Sequence, residues 1–174
     1  HKPNGNSKFH SKRVRDLNFD EILEKIKFIH SGRNFYIYEN ILVLPRFFTV
    51  KNFQLFDNIN ELNNKLSISN TDILKNKLLI KKEYQNVLPK ENSKYFNFSN
   101  IDLIKYSPDY IEFDVEIDGS AIMVVTNSFS KYWKVYVNGN LQEIIPSYGV
   151  FWGVVLDSNS ENIVFKYEPP YKFY

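Results

Sequence analysis

The stretch Ser120–Gly139, SAIMVVTNSFSKYWKVYVNG, carries two strands of different character and the turn that follows them. Ala121–Val125 is an unbroken apolar run bounded by polar residues, and such a run reads as a strand buried on both faces. Thr126–Lys131 is a short polar link. Trp133–Val137 alternates, with Trp133, Val135 and Val137 on one face and Lys134 and Tyr136 on the other, which predicts a strand with one wet face. Asn138–Gly139 supplies the two residues of a type I′ turn, which needs positive φ at both, so the next strand folds straight back from Asn140.

Working outward, the C-terminal half is β throughout. From Ile101 the pattern becomes strand-like, and Tyr110–Asp118 is the cleanest alternation in the chain. Ile111, Phe113, Val115 and Ile117 face one way, and Glu112, Asp114, Glu116 and Asp118 face the other. Asp118–Gly119 turns the chain into the apolar run. Leu141–Ile145, a turn around Pro146, Val150–Leu156 and Ile163–Tyr167 complete the series. Short strands at this regular spacing predict an antiparallel β-sandwich of jelly-roll type.

The N-terminal half is mixed. Residues 1–17 form a basic lead with Lys2, Lys8, Lys12, Arg13 and Arg15, expected to be flexible or to touch anionic lipid headgroups. Asn18 and Glu21 have capping-box spacing, and Phe19, Ile22, Leu23, Ile26 and Ile29 recur at helical spacing up to Ser31–Gly32, which predicts a helix over 19–30 ending at His30. Residues 34–39 and 41–44 read as strand, bent or edged at Pro45–Arg46, and 47–50 resumes. Asp57 is the expected cap of a second helix bearing Ile59, Leu62 and Leu66; Asp72–Leu74 is a helical turn, Leu78–Lys82 a strand, and Gln85–Asn97 a linker. The expectation is therefore one mainly β domain over 18–174, with an α+β portion at 18–90 carrying one or two short helices and the main sandwich at 98–168.

The chain has 174 residues, enough for one sizeable core, and its 15 Phe, 12 Tyr and 2 Trp favour strands. A net charge of +2 with mixed signs lacks the concentrated basic face that nucleic acid requires. With no cysteine, disulfides and thiolate metal sites are excluded. No run approaches the roughly 18 apolar residues of a membrane span.

Catalytic signatures are weak. The four carboxylates of Tyr110–Asp118 lie along one strand, whereas calcium ligands converge on a point and glycosidase carboxylates face each other across a cleft. They read as a solvated outer face. His1, His10 and His30 have no metal-site spacing, and there is no GxSxG or phosphate-cradling glycine loop. Aromatics beside polar residues remain: Tyr132 and Trp133 after the link, Tyr148 and Trp152 around the Val150 strand. Such residues either stack on sugar rings or fill the core. Arg46, after a proline among apolar residues, either binds a carboxylate or phosphate or pairs with an acidic side chain inside the fold.

Three blocks in order resemble the C-terminal extracytoplasmic region of the YfhO family of bacterial multi-pass membrane proteins, which are similar to GT-C glycosyltransferases. They are Tyr38–Val50 (YENILVLPRFFTV), Val124–Gly139 (VVTNSFSKYWKVYVNG) and Asn162–Pro169 (NIVFKYEP). Ser67–Lys82 is a looser match between the first two. Lys131–Tyr132 stands where the family has Pro-Gly, and Asn138 where it has Asp.

The resemblance implies a non-catalytic accessory domain on the extracytoplasmic side of a bacterial membrane, monomeric when isolated. Its partners would be the membrane-embedded part of the same protein and a cell-envelope glycan. It implies no cofactor in this domain; a polyprenyl-phosphate-linked sugar donor and the catalytic acidic residues would belong to the full-length transferase. The site residues expected for glycan contact are Arg46 and Asn127 for polar readout, with Tyr132, Trp133 and Trp152 for stacking. The alternative is a structural or protein-interaction module without glycan binding.

Overall fold

A computed structural model describes residues 26–40, 42–69, 71–89 and 99–170. The chain divides into two compact units, 1–43 and 44–174. In the first, β1 (Ile26–Ser31) and β2 (Tyr36–Asn40) form a two-stranded antiparallel ribbon. Phe28 and Tyr38 are cross-strand partners with ring centroids 5.7 Å apart.

This ribbon corrects the helix expected over 19–30. Ile26–Ser31 is strand, so His30 is not a helix-end residue, and 19–25 lie outside the described residues. Ile26 and Ile29 have helical spacing, but Ile26, Phe28 and Ile29 are also β-branched or aromatic residues that suit a strand. Pairing with 36–40 decides between them, and that is a non-local contact.

The second unit is mainly β. It holds β3 (Phe47–Val50), β4 (Asn52–Phe56), α1 (Ile59–Ile68), α2 (Thr71–Asn76), β5 (Lys77–Lys81), a 3₁₀ turn at Lys82–Val87, and eight further strands. These are β6 (Ser99–Ser107), β7 (Tyr110–Ile117), β8 (Ala121–Ser128), β9 (Trp133–Val137), β10 (Asn140–Gln142), β11 (Ile145–Ser147), β12 (Phe151–Leu156) and β13 (Asn162–Tyr167). One sheet runs β10-β9-β13-β7-β6 and the other β3-β8-β12-β11-β5-β4. Every pairing is antiparallel except β4 with β5.

The two sheets share one core, built from Ile111, Phe113, Val115 and Ile117 of β7, Val135 and Val137 of β9, and Ile163 and Phe165 of β13. These meet Met123 and Val125 of β8 and Trp152, Val154 and Leu156 of β12. The other side of the six-stranded sheet has its own core, where Ile122 and Val124 pack with Val50, Phe56, Leu62 and Leu78–Ile80. Ala121–Val125 is thus buried on both faces, as its unbroken apolar run predicts. The class is an antiparallel β-sandwich whose short helices, among the described residues, lie in the N-terminal half. Residues 47–81 supply three of the six strands of one sheet, so the α+β portion completes the sandwich.

Local details follow their chemistry. The β9–β10 hairpin turns on Asn138 (φ 49°) and Gly139 (φ 80°), the expected type I′ pair. Asn58, not Asp57, caps α1, because its extended backbone aims Oδ1 at the N–H groups of Asn60 and Glu61 at 3.1 Å, while Glu61 Oε2 accepts from Asp57 N–H at 2.8 Å. Pro146 lies in β11 rather than in a turn. β11 meets β5 at the single pair Ser147↔Ile80, so little ladder is lost to the missing N–H. Gln85–Val87, expected in a linker, belong to the 3₁₀ turn.

The turn between β11 and β12 is Tyr148–Val150, with positive φ at Tyr148 (52°) and Gly149 (75°). Tyr148 is buried at 4% exposure and donates its hydroxyl hydrogen to the Leu74 carbonyl. Beside it, Gly153 of β12 passes so close to Ser147 Oγ and the Ile145 carbonyl that a side chain there has no room. Ser147 Oγ is buried without a hydrogen-bond partner among the described residues.

Two outcomes are expected. Gly153→Ala lowers stability by about 1–3 kcal/mol through overpacking, while Ser147→Ala raises it by about 1 kcal/mol by removing an unpaired buried hydroxyl; urea midpoints moving the other way would refute the close approach. Burial also holds the Tyr148 phenol well above the ordinary value of 10.0. Above that pH the unfolded chain releases this proton before the folded chain does, so stability falls as pH rises, and Tyr148→Phe flattens the decline. An identical alkaline slope in the variant would show that Tyr148 ionises normally in the fold.

Candidate functional site

The expected site residues gather at one end of the sandwich, where β8 leads into β9 through Phe129–Tyr132. Backbone hydrogen bonds pin this link on both sides. Phe129 N–H donates to Val150 O at 2.7 Å, Trp133 N–H to Ser130 O at 3.1 Å, and Glu168 N–H to Tyr132 O at 2.7 Å. Trp152 Nε1 closes the set by donating to Ser128 O at 2.9 Å.

The rings form a continuous series. Tyr132 meets Tyr167 at 6.1 Å between centroids, Tyr167 meets Trp133 at 5.6 Å, and Trp133 meets Trp152 at 4.6 Å. Trp152 stacks on Phe165 at 5.0 Å, and the series continues through Phe113 to Phe47. Such pairs contribute about 0.5–1.5 kcal/mol each beyond area burial. The ladder therefore holds the outer rings in place from within the core.

Trp133 is half-buried and walls an open cleft of about 190 Å³, with Phe129, Ser130, Lys131, Gln142 and Glu143 around it. Tyr132 stands beside it, half-buried, with Lys131 Nζ 5.2 Å from its ring centroid. Trp152 is a correction. It is 1% exposed, enclosed by Trp133 and Phe165, and presents no face on which a sugar could stack. Tyr148 is likewise core.

Arg46 and Asn127 lie at the same end. Arg46 precedes β3, its carbonyl accepts from Thr126 N–H at 3.0 Å, and its guanidinium donates to the Tyr106 hydroxyl at 2.8 Å while lying 5.7 Å from that ring's centroid. An acidic partner was the expected structural role; Tyr106 fills it instead. Asn127 is half-buried near the end of β8. Of the expected residues Trp133 lines the cleft, whereas Arg46, Asn127 and Tyr132 are not part of its lining. The cleft's other members, Phe129, Gln142 and Glu143, were not among the expected residues, because their approach depends on how β9, β10 and the link cross in space.

The acidic strand is a solvated sheet face. Glu112 accepts from the Tyr110 hydroxyl at 2.9 Å and from Asn162 Nδ2 at 3.1 Å, and the same amide reaches Asp114 at 3.2 Å. The hydrogen bonds from Tyr110 and then Asn162 lower the Glu112 pKa, and the bond to Glu112 raises that of Tyr110. Carboxylates spread along one exposed face, bonded to their own sheet, do not form the facing pair of a glycosidase. Among the described residues no group of three or more His, Cys, Asp or Glu is arranged to hold a metal ion, and no helix is long and apolar enough to cross a membrane.

Comparison with protein-family models, curated proteins and solved structures finds no match to this chain. The likeness to the YfhO family thus rests on the three sequence blocks.

The different surroundings of the two tryptophans separate their roles. Trp152→Ala is expected to cost about 3–5 kcal/mol, as for other buried large-to-small changes, and Trp133→Ala clearly less. Equal losses in chemical denaturation would mean that Trp133 is as much a core residue as Trp152.

Proposed function

We propose that this chain is a non-catalytic extracytoplasmic accessory domain of a bacterial membrane glycosyltransferase-like protein, and that it contacts a cell-envelope glycan through the Trp133 cleft. The sugar-transfer chemistry, its polyprenyl-phosphate-linked donor and its acidic catalytic residues belong to the membrane part of the full-length protein. The observation that carries glycan contact is Trp133 itself. Its ring is held between Trp152 and Tyr167, at 4.6 and 5.6 Å, and yet remains partly open to a cleft bordered by Ser130, Gln142 and Glu143. A fixed aromatic face beside hydroxyl, amide and carboxylate groups matches a pyranose, which offers an apolar C–H face and a rim of hydroxyls. Preorganisation matters because ordering a loose side chain costs about 0.5–1.5 kcal/mol on binding.

A second reading, a structural or protein-interaction module, is favoured by the β1–β2 ribbon. Phe28, Ile29, Phe35, Tyr36, Ile37 and Tyr38 are all exposed there. Contiguous exposed apolar residues of this kind mark interaction surfaces.

The deciding experiment is a glycan-array screen followed by calorimetry with envelope polysaccharides, comparing wild type with Trp133→Ala and Tyr132→Ala. Binding that both variants weaken by about tenfold or more, with the thermal midpoint largely kept, is the expected result. Wild-type binding retained in Trp133→Ala would sink the assignment of the cleft. A folded wild-type domain that binds no glycan would leave the interaction-module reading in its place.

A further inference from the structure

At the other ends of β9 and β12, away from the aromatic link, the sandwich carries a larger cavity of about 500 Å³. Its polar lining includes Ser120, Asn138, Asn140, Gln142 and Asp157, and its apolar lining includes Val137 and Leu156, which also belong to the sandwich core.

The rim is built rigidly. Asn138 sits at the hairpin tip with φ 49°, and its Oδ1 accepts from the N–H groups of Glu161 and Asn162 at 2.9 and 3.0 Å. Its Nδ2 donates to Asn159 O at 2.6 Å, so one side chain ties the β9–β10 turn to the β12–β13 loop. That loop also closes on itself. Ser160 Oγ, in a residue only 5% exposed, accepts from Asp157 N–H at 3.0 Å and donates to Asp157 Oδ1 at 3.1 Å, and the same Oδ1 accepts from Asn159 N–H at 3.0 Å.

The chemistry of the lining selects the ligand. Among the described residues that line the cavity there is no Lys, Arg or His and Asp157 alone is ionisable, so these residues offer a phosphate or carboxylate repulsion and no counter-charge. A purely apolar ligand would strip water from the amides without replacing their hydrogen bonds. Side-chain amides donate and accept at once, as vicinal hydroxyls do, and the Val137–Leu156 side offers a surface for C–H groups. The volume lies in the range of about 300–1,000 Å³ typical of small-molecule sites.

We propose that this cavity is a second binding site, for a neutral sugar residue, which shares only Gln142 with the Trp133 cleft among the described residues. Asn140, Gln142 and Ser120 would read hydroxyls, Asn138 and the Asp157–Ser160 loop would hold the rim, and Asp157 would exclude acidic sugars.

The test is amide chemical-shift mapping on the full 174-residue chain, titrated with glucose, galactose, N-acetylglucosamine and glucuronate. At least one neutral sugar is expected to shift the amides of Asn138–Asn140 and Asp157–Ser160, with glucuronate at least about tenfold weaker. Ser120→Trp fills the cavity and should abolish the shifts. Asn140→Ala, at an exposed position that leaves the fold intact, should weaken them by about fivefold or more. Three results would overturn the proposal: no shift at those amides with any neutral sugar, shifts that survive both variants, or glucuronate binding as well as the neutral sugars. Shifts that vanish in Trp133→Ala but persist in Ser120→Trp would belong to the aromatic cleft, so the two sites fail separately.

Discussion

Strand β8 sends Met123 and Val125 into the core between the sheets and Ile122 and Val124 into the core beneath the helices. Burying a side chain of this size stabilises by about 1.5–3 kcal/mol relative to exposure. The same five-residue run therefore supports two layers that otherwise have few residues in common. It also organises the pairing, since β8 lies between β3 and β12, and β12 carries the sheet on to β11, β5 and β4. A polar residue anywhere from 121 to 125 would enter one core or the other with no water on either side.

The two candidate sites are consequences of that arrangement. β8 runs past its apolar stretch to Ser128, and the chain must then cross from the six-stranded sheet to β9 in the five-stranded one. The crossing is closed by ring contacts as well as by backbone hydrogen bonds, because Trp133 and Trp152 come from opposite sheets and meet at 4.6 Å. The outer rings are consequently fixed by the core, as preorganised recognition requires. At the other end the crossing is made by loops, and Asn138 does with hydrogen bonds what the rings do with packing. An amide is suited to both of its tasks there: its oxygen accepts from two backbone N–H groups while its nitrogen donates to a carbonyl. An aspartate at this position would accept equally well but would lose the donated bond.

Carrying the domain from fold to function takes a resemblance, since nothing in the described residues forms a catalytic constellation. The sandwich contributes shape and binding chemistry: one cleft with an aromatic wall, one cavity lined with amides, and an acidic outer face bonded to itself. The exposed aromatics of the β1–β2 ribbon add a surface of a different kind.

By itself, the sequence determined what depends on local periodicity and turn stereochemistry. The unbroken run 121–125 specified a strand with two dry faces, the alternation at 110–118 and 133–137 specified which side chains turn inward, and Asn138–Gly139 specified its turn through the φ > 0 that both positions adopt. Tertiary structure alone decided whatever required a distant partner. Ile26–Ser31 has helical spacing and becomes strand because 36–40 pairs with it; Trp152 and Trp133 look alike in sequence, but only Trp152 is enclosed, by Phe165 and Trp133 together. Arg46 finds Tyr106 sixty positions away, and Asn138 finds the 159–162 loop more than twenty away. Periodicity reports which face a residue occupies on its own element; it carries no information on what that face meets, which is settled by the packing of whole sheets.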